Sequence, residues 1–435
     1  MNSKRIGMVS LGCDKNRMDS ENILYSLSQA GYLIVNDPRD ADYILINTCA
    51  FIKMAKKESI DTILEFIDYK KSFGKKIIVT GCLAERYGEE LAKEIPEVDV
   101  FIGINKYHDI VKLIESSDNR VITGDEFVPY DKGRILTTPK HYAYIKIAEG
   151  CNNCCSYCAI PSIRGRYRSE PIDSLIKEAS NLHDRGVKEL ILVAQDITRY
   201  GSDLSKNYGL KNLLKEFLTI GFSKIRLMYA YPELIDDGLL DMISTENGIA
   251  KYIDIPLQHA DDAILKRMNR RSNNQAIYKL INKIRMQNPE IAIRSTFIVG
   301  FPSENEAEFN TLRNLITDGM IDYAGFFEYS REENTPAAKM PGQISKKTMK
   351  QRSFELSRLQ SGIIEEKHKR YKNKAISVLC ENYDVVRKEY IGRNEQNAPE
   401  VDTNVYFTSE RKLEIGEYYQ VKILNTGFNL NGKVI

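Results

Sequence analysis

Two periods of apolar spacing alternate along this chain, and each change of period marks an element. Residues 5–11 (RIGMVSL) read as a strand, and residues 19–30 as a helix closed by Gly31. Residues 41–48 (ADYILINT) carry the near-continuous apolar run of a strand buried on both faces. A long amphipathic helix is expected over 53–71, a strand over 76–80 and a helix over 86–95. A strand over 98–102 and a helix near 109–115 complete the series. Alternating strands and helices imply a parallel sheet with helices on both faces.

Residues 116–140 lose this periodicity and hold Pro129 and Pro139, as a linker does. A second, longer β/α series follows. Its strands are expected at 142–147, 189–193, 224–229, 252–255, 291–299 and 323–329, which suggests an open or partial β/α barrel. Residues 346–371 read as a long charged helix. The C-terminal stretch changes character, with short strand-like runs at 375–380, 389–392, 404–407 and 418–423, as in a small all-β barrel. The expected class is α/β. The expected domains are 1–116, a linker 117–140, a barrel domain 141–370 and a β-barrel 371–435.

Composition narrows the class only a little. Of 435 residues, 42% are hydrophobic and 28% charged, ordinary for a globular protein. The 62 basic and 60 acidic residues leave a net charge of +2, so no global field draws the chain to nucleic acid or membrane. No long apolar segment near Met1 reads as a signal peptide, and no stretch approaches the ~18 apolar residues of a membrane span. A cytoplasmic location without a membrane partner is expected.

The eight cysteines carry more information. In a reducing compartment, clustered thiols are more often metal ligands or catalytic groups than disulfides. Cys151, Cys154, Cys155 and Cys158 fall within eight residues, just after the first expected barrel strand. Catalytic groups of β/α barrels sit on such loops. The four could form a tetrahedral zinc site, although contiguous pairs make a cramped one. Alternatively, Cys151, Cys155 and Cys158 could hold an iron–sulfur cluster with one iron left open. Cys13, Cys49 and Cys82 are distant in sequence, and buried free cysteines are common. Each follows an expected parallel strand, however, and ligands bind at the carboxyl ends of such strands.

The pattern CxxxCxxC in Gly150-Cys151 to Cys158 resembles the radical S-adenosylmethionine (SAM) superfamily. That resemblance implies a catalytic 4Fe–4S cluster on Cys151, Cys155 and Cys158, whose open iron binds SAM, and a 5′-deoxyadenosyl radical made by one-electron reduction. Cys154 occupies a position without a ligand in that pattern. The words Ser10-Leu11-Gly12-Cys13-Asp14-Lys15-Asn16, Asn47-Thr48-Cys49-Ala50-Phe51 and Thr80-Gly81-Cys82-Leu83-Ala84 resemble the N-terminal domain of methylthiotransferases. There the three cysteines hold a second 4Fe–4S cluster, and a second SAM serves as methyl donor. The resemblance spans essentially the whole chain and implies a TRAM-type barrel at its C-terminus.

Within that family, the run from Cys158-Ala159-Ile160-Pro161-Ser162-Ile163-Arg164 to Ser169 is similar to the RimO-like branch. So are Val193-Ala194-Gln195-Asp196-Ile197-Thr198-Arg199-Tyr200-Gly201 and Ala398-Pro399-Glu400-Val401-Asp402. That branch modifies an aspartate β-carbon of the small-subunit ribosomal protein S-twelve (uS12). The MiaB-like branch, which modifies a transfer-RNA adenosine, is the alternative; a non-catalytic zinc module is a second one. Residues 371–435 hold nine Lys plus Arg and nine Asp plus Glu. A barrel gripping RNA should be basic, so the balance favours a protein substrate. A sulfur carrier and an electron donor are required too, and no word in the sequence names either. Gln195, His259 and Gly300 end barrel strands and are expected to contact SAM. Arg164, Arg166 and Arg168 are candidates to bind a carboxylate.

Overall fold

A computed structural model describes residues 4–115, 120–124, 133–204 and 208–435. Residues 117–119 and 125–132 of the expected linker lie outside these residues. The chain forms two compact units. One combines Met1–Thr137, Glu149–Arg168 and Ser330–Ala338; the other combines Thr138–Ala148, Ser169–Tyr329 and Lys339–Ile435. No helix among the described residues is long and apolar enough to cross a membrane.

The first unit is built on a parallel sheet of β1 (Arg5–Ser10), β2 (Leu33–Ile34), β3 (Tyr43–Thr48), β4 (Lys76–Gly81), β5 (Val100–Ile102) and β6 (Val121–Ile122). The strand order is β2-β1-β3-β4-β5-β6. Every residue of β3 is buried, which accounts for its unbroken apolar run. The two-residue edge strands β2 and β6 carry no period long enough to be read. The helices are α1 (Asp14–Gln29), α2 (Lys53–Phe73), α3 (Cys82–Glu94) and α4 (Ile110–Leu113).

Two helices start earlier than the apolar period suggests. Helix α1 begins at Asp14 with Cys13 as its N-cap, and α3 begins at Cys82. The face of α1 turned inward is largely polar: Lys15, Asn16, Asp19, Ser20, Glu21 and Asn22 are all buried. Apolar periodicity is blind to such a face.

The cysteine loop belongs to this first unit. Strands β8 (Ala148–Glu149) and β9 (Arg168–Ser169) bracket it in the chain, and it contains α5 (Ile160–Arg164). Ala159 and Ile163 enter the same hydrophobic core as Ile46, Val79 and Leu83. The returning segment 330–338 is tied to the loop by the Ala337 N–H, which donates to the Ser156 carbonyl at 2.8 Å. It is pinned at its other side by Glu332, whose carboxylate meets Arg86 Nη1 at 2.8 Å and Lys56 Nζ at 2.9 Å.

The second unit holds β7 (Tyr142–Lys146), β10 (Glu189–Val193), β11 (Lys224–Leu227), β12 (Ile249–Asp254), β13 (Ala292–Val299) and β14 (Tyr323–Glu328). These parallel strands form an open sheet in the order β14-β13-β12-β11-β10-β7, a partial barrel as expected. Helices α6 (Ile172–Asp184), α7 (Leu210–Ile220), α8 (Asp237–Thr245), α9 (Asp262–Arg267), α10 (Asn274–Gln287), α11 (Glu306–Thr317) and α12 (Lys346–His368) accompany it. The C-terminal part is a closed barrel of β15 (Ala375–Asp384), β16 (Glu389–Arg393), β17 (Val405–Thr408), β18 (Tyr418–Thr426) and β19 (Leu430–Val434). Its core is Val378, Cys380, Val405, Phe407, Val421 and Ile423. Strand β19 (LNGKV) went unread, because Asn and Gly interrupt its alternation.

This small barrel is joined to the partial barrel by buried charge. Glu189, opening β10, accepts from Arg226 Nε at 2.6 Å and from Arg393 Nη2 at 2.5 Å. Asp402 accepts from the Tyr252 hydroxyl at 2.7 Å and faces Arg294 Nε at 3.3 Å.

Candidate metal centre

Strand register brings the first three thiols to one sheet edge. Ser10 pairs with Asn47, Asn47 with Thr80 and Thr48 with Gly81, so the carboxyl ends of β1, β3 and β4 lie side by side. Cys13, Cys49 and Cys82 follow those ends. Cys49 feels both Cys82 and Cys13 electrostatically, and Cys82 feels Cys13. Burial, then the neighbouring Cys82, pushes the Cys49 thiol up to about 12. Burial also raises the Cys82 thiol, while Arg164 pulls against it. Buried thiols gain from a cation that replaces their protons, and a set of three soft sulfurs fits iron–sulfur ligation. Cys13 and Cys82 also stand at the starts of α1 and α3.

Two glycines make this approach possible. Gly12 has φ +90°, and a Cβ there would lie 2.6 Å from the Cys49 Cβ. Gly81 has φ +96°, and its Cβ would lie 2.4 Å from both Asn47 Oδ1 and the Thr48 carbonyl. Gly12→Ala is expected to lose ~1–3 kcal/mol of stability from the left-handed backbone alone, and to bind less iron after reconstitution than the parent. Urea unfolding and iron assay check both.

Asparagines staple the same loops. Asn16 Nδ2 donates to the carbonyls of Leu11 at 3.1 Å and Thr48 at 2.8 Å. Asn47 Nδ2 donates to the Asn16 carbonyl and to Ser20 Oγ, each at 2.8 Å. The polar inner face of α1 is thus the inner wall of the thiol site.

In the second cysteine group, Cys151, Cys155 and Cys158 are half-buried, whereas Cys154 is exposed. Backbone N–H groups point at two of the sulfurs: Asn153 donates to Cys151 Sγ at 3.4 Å, and Ile160 donates to Cys158 Sγ at 3.5 Å. Hydrogen bonds to sulfur are characteristic of iron–sulfur ligation, so this loop also fits a cluster. Among the described residues, no three His, Cys, Asp or Glu side chains are grouped as a single metal ion would need.

Arg164 is the residue whose place sequence reasoning missed. It is 2% exposed, not a surface charge. Its Nη1 donates to Glu149 at 2.7 Å, and its Nη2 reaches Asn16 Oδ1 at 2.5 Å, Asp19 at 3.0 Å and Cys82 Sγ at 3.6 Å. Burial opposes its charge, but Glu149, Cys82 and Asp19 hold its pKa above the ordinary value. Arg166 is exposed, and Arg168 donates to the carbonyls of Arg166 and Arg164.

In the second unit, Gln195 is half-buried just beyond β10. His259 is fully buried; its Nδ1 accepts the Asp261 N–H at 3.1 Å, and its Nε2 lies 3.6 Å from Glu304. Glu304 also accepts the Gly300 N–H at 2.8 Å and pairs with Arg352 at 2.6 Å. His259 and Gly300 therefore meet at Glu304, a residue that no sequence motif flagged. The space beside Gly300 is taken by Met349, whose Cγ would be 2.2 Å from an added Cβ.

Three family signatures divide the chain in the same order as these elements. The uncharacterized protein family UPF0004 matches residues 5–103, the radical SAM superfamily residues 145–316 and the TRAM domain residues 374–435. A relative from Clostridium botulinum (strain Eklund 17B / Type B), the ribosomal protein uS12 methylthiotransferase RimO, is 46% identical over 100% of this chain and 99% of its own. The protein of that name from Geobacter sulfurreducens is 43% identical over 99% of each. Among solved structures, the radical SAM methyltransferase TsrM from Kitasatospora setae, with cobalamin and a 4Fe–4S cluster bound, aligns at TM-score 0.58. It is 14% identical over 77% of each chain, a likeness of fold alone.

Proposed function

Because the chain belongs to the RimO family of radical SAM methylthiotransferases, we propose that it places a methylthio group on the β-carbon of an aspartate of ribosomal protein uS12. The observation that carries this reading is identity of 46% running the full length of both chains. It favours the protein substrate over transfer RNA and a catalytic role over a zinc module.

Radical SAM membership brings one 4Fe–4S cluster and SAM, which when bound supply the one-electron chemistry that opens an unactivated C–H bond. We assign that cluster to the thiolates of Cys151, Cys155 and Cys158, with exposed Cys154 left outside. A second cluster is assigned to Cys13, Cys49 and Cys82, where the fit of three converging thiols supports it. The N–H groups of Asn153 and Ile160 stabilise thiolate at Cys151 and Cys158. Gln195, at a strand end of the partial barrel, is assigned to SAM. Gly300 takes part through Glu304: its N–H holds that carboxylate, Arg352 balances its charge, and the buried His259 imidazole lies beside it at 3.6 Å. The cytoplasm, where uS12 is made, is the proposed location.

A substrate competition tests the reading. The enzyme is reconstituted anaerobically with iron and sulfide, then given SAM, reductant and a sulfur source. One sample receives uS12 and another unmodified transfer RNA. Mass spectrometry is expected to find one methylthio group on an aspartate of uS12. Gain on the RNA alone overturns the substrate, and gain on neither overturns the proposed activity.

A further inference from the structure

Arg164 ends α5, six residues beyond Cys158, yet its guanidinium reaches into the site of Cys82. Asp19 and Glu149 together already offer two carboxylates to this one cation. A buried guanidinium needs no third anionic partner, but Nη2 also sits 3.6 Å from Cys82 Sγ. The same sulfur lies 3.6 Å from Asn16 Oδ1. A thiol can donate to that oxygen; a thiolate can only accept, and Arg164 is the donor beside it. Nη1 serves Glu149, while the two N–H bonds of Nη2 are shared among Asn16 Oδ1, Asp19 and the sulfur, a spread that a lysine ammonium cannot reproduce.

We propose that Arg164 is a positioning residue for the cluster on Cys13, Cys49 and Cys82, donating a charge-assisted hydrogen bond to the Cys82 thiolate and raising the reduction potential of that cluster. The proposal rests on the assignment of those three cysteines as ligands. The physical reason is direct. Reduction adds negative charge to the cluster, and a fixed cation at a ligand sulfur stabilises the reduced form more than the oxidised one. The location also matters. Glu149 stands two residues before Cys151, so the guanidinium clamps the start of the CxxxCxxC loop and the Cys82 loop into one hydrogen-bonded piece. The loop that prepares the radical and the loop that holds the other cluster then share one rigid support.

The test uses the full chain with Cys151, Cys155 and Cys158 replaced by alanine, which isolates the N-terminal site. Iron and sulfide content, the electron paramagnetic resonance spectrum of the reduced protein and its midpoint potential are measured. Arg164→Gln and Arg164→Lys are compared in this background. The parent is expected to hold one cluster. Arg164→Gln is expected to shift the potential down and alter the spectrum, and Arg164→Lys, which keeps the charge but loses the fork, to fall between. A parent without iron overturns the ligand assignment itself. A parent with a cluster whose potential and spectrum do not change in Arg164→Gln overturns the proposal alone. Should Arg164→Gln not fold, Arg164→Lys decides by the same measure. Should neither fold, Asp19→Asn, which frees Nη2 for the sulfur, is expected to raise the potential, and an unchanged value overturns the proposal.

Discussion

Cys155→Ala is expected to abolish methylthio transfer to uS12 completely while leaving the chain folded and about half of its iron in place. The residue is half-buried in a loop whose backbone is fixed independently of its side chain. The Cys151 N–H donates to the Gly165 carbonyl at 3.2 Å, and Ala159 and Ile163 anchor the loop in a hydrophobic core. Removing one thiol therefore removes a ligand and not the fold. Three thiolates are the fewest that leave a four-iron cluster a single open iron, so losing one removes the site at which SAM would be held. Cys154→Ala is the matched control. That residue is one position away and exposed, with φ 47°. It is expected to keep near-parental iron and activity. Iron assay and product mass spectrometry on the pair separate loss of a ligand from loss of a cysteine. Equal loss in both variants overturns the assignment of three ligands.

The strand ends that carry the thiols were legible in the sequence because β1, β3 and β4 are short apolar runs that each stop at a cysteine word. The position of Cys13 at the start of a helix was not, since the first turn of α1 is polar and its inner face is built from Asn16, Asp19 and Ser20. Polar burial of this kind has no period; it is specified by partners such as Arg164 and Arg134 far along the chain. For the same reason Arg164 reads as a candidate to bind a carboxylate of substrate or SAM, whereas the carboxylates it meets are Asp19 and Glu149 inside the fold. The even charge count of residues 371–435 has a similar limit. Arg393, Glu395 and Asp402 entered that count, but the structure uses them against Glu189, Lys224 and Arg294, so they are not charges offered to a partner. Glu304 escaped notice because its partners, His259, Gly300 and Arg352, come from three separate segments.

Glu189→Ala is expected to destabilise the second unit by ~3–5 kcal/mol, the usual cost of removing one partner from a buried ion cluster. Glu189 and Arg393 are almost wholly buried, as is Arg226, and both guanidinium groups bond to the one carboxylate. Arg393 keeps Glu381 at 2.9 Å, but Arg226 would be left with a carbonyl contact to Glu395 at 3.0 Å. Replacing Glu189, Arg226 and Arg393 together with apolar residues of similar size should recover most of the loss, because the desolvation cost disappears with the charges. Acid provides the same test without truncation. Burial alone would raise the Glu189 carboxyl, but Arg226 and Arg393 hold it down at about 2, against an ordinary value of 4.5. A depressed native pKa gives stability that is present above the unfolded value and lost as the pH falls toward the folded one. The contribution, about 3 kcal/mol from a shift of this size, should disappear between about pH 5 and pH 2. Urea midpoints measured across that window are expected to fall more steeply for the parent than for Glu189→Gln, which has no proton to bind there. Parallel curves for the two proteins overturn the claim that this carboxylate holds the small barrel to the base of the larger one.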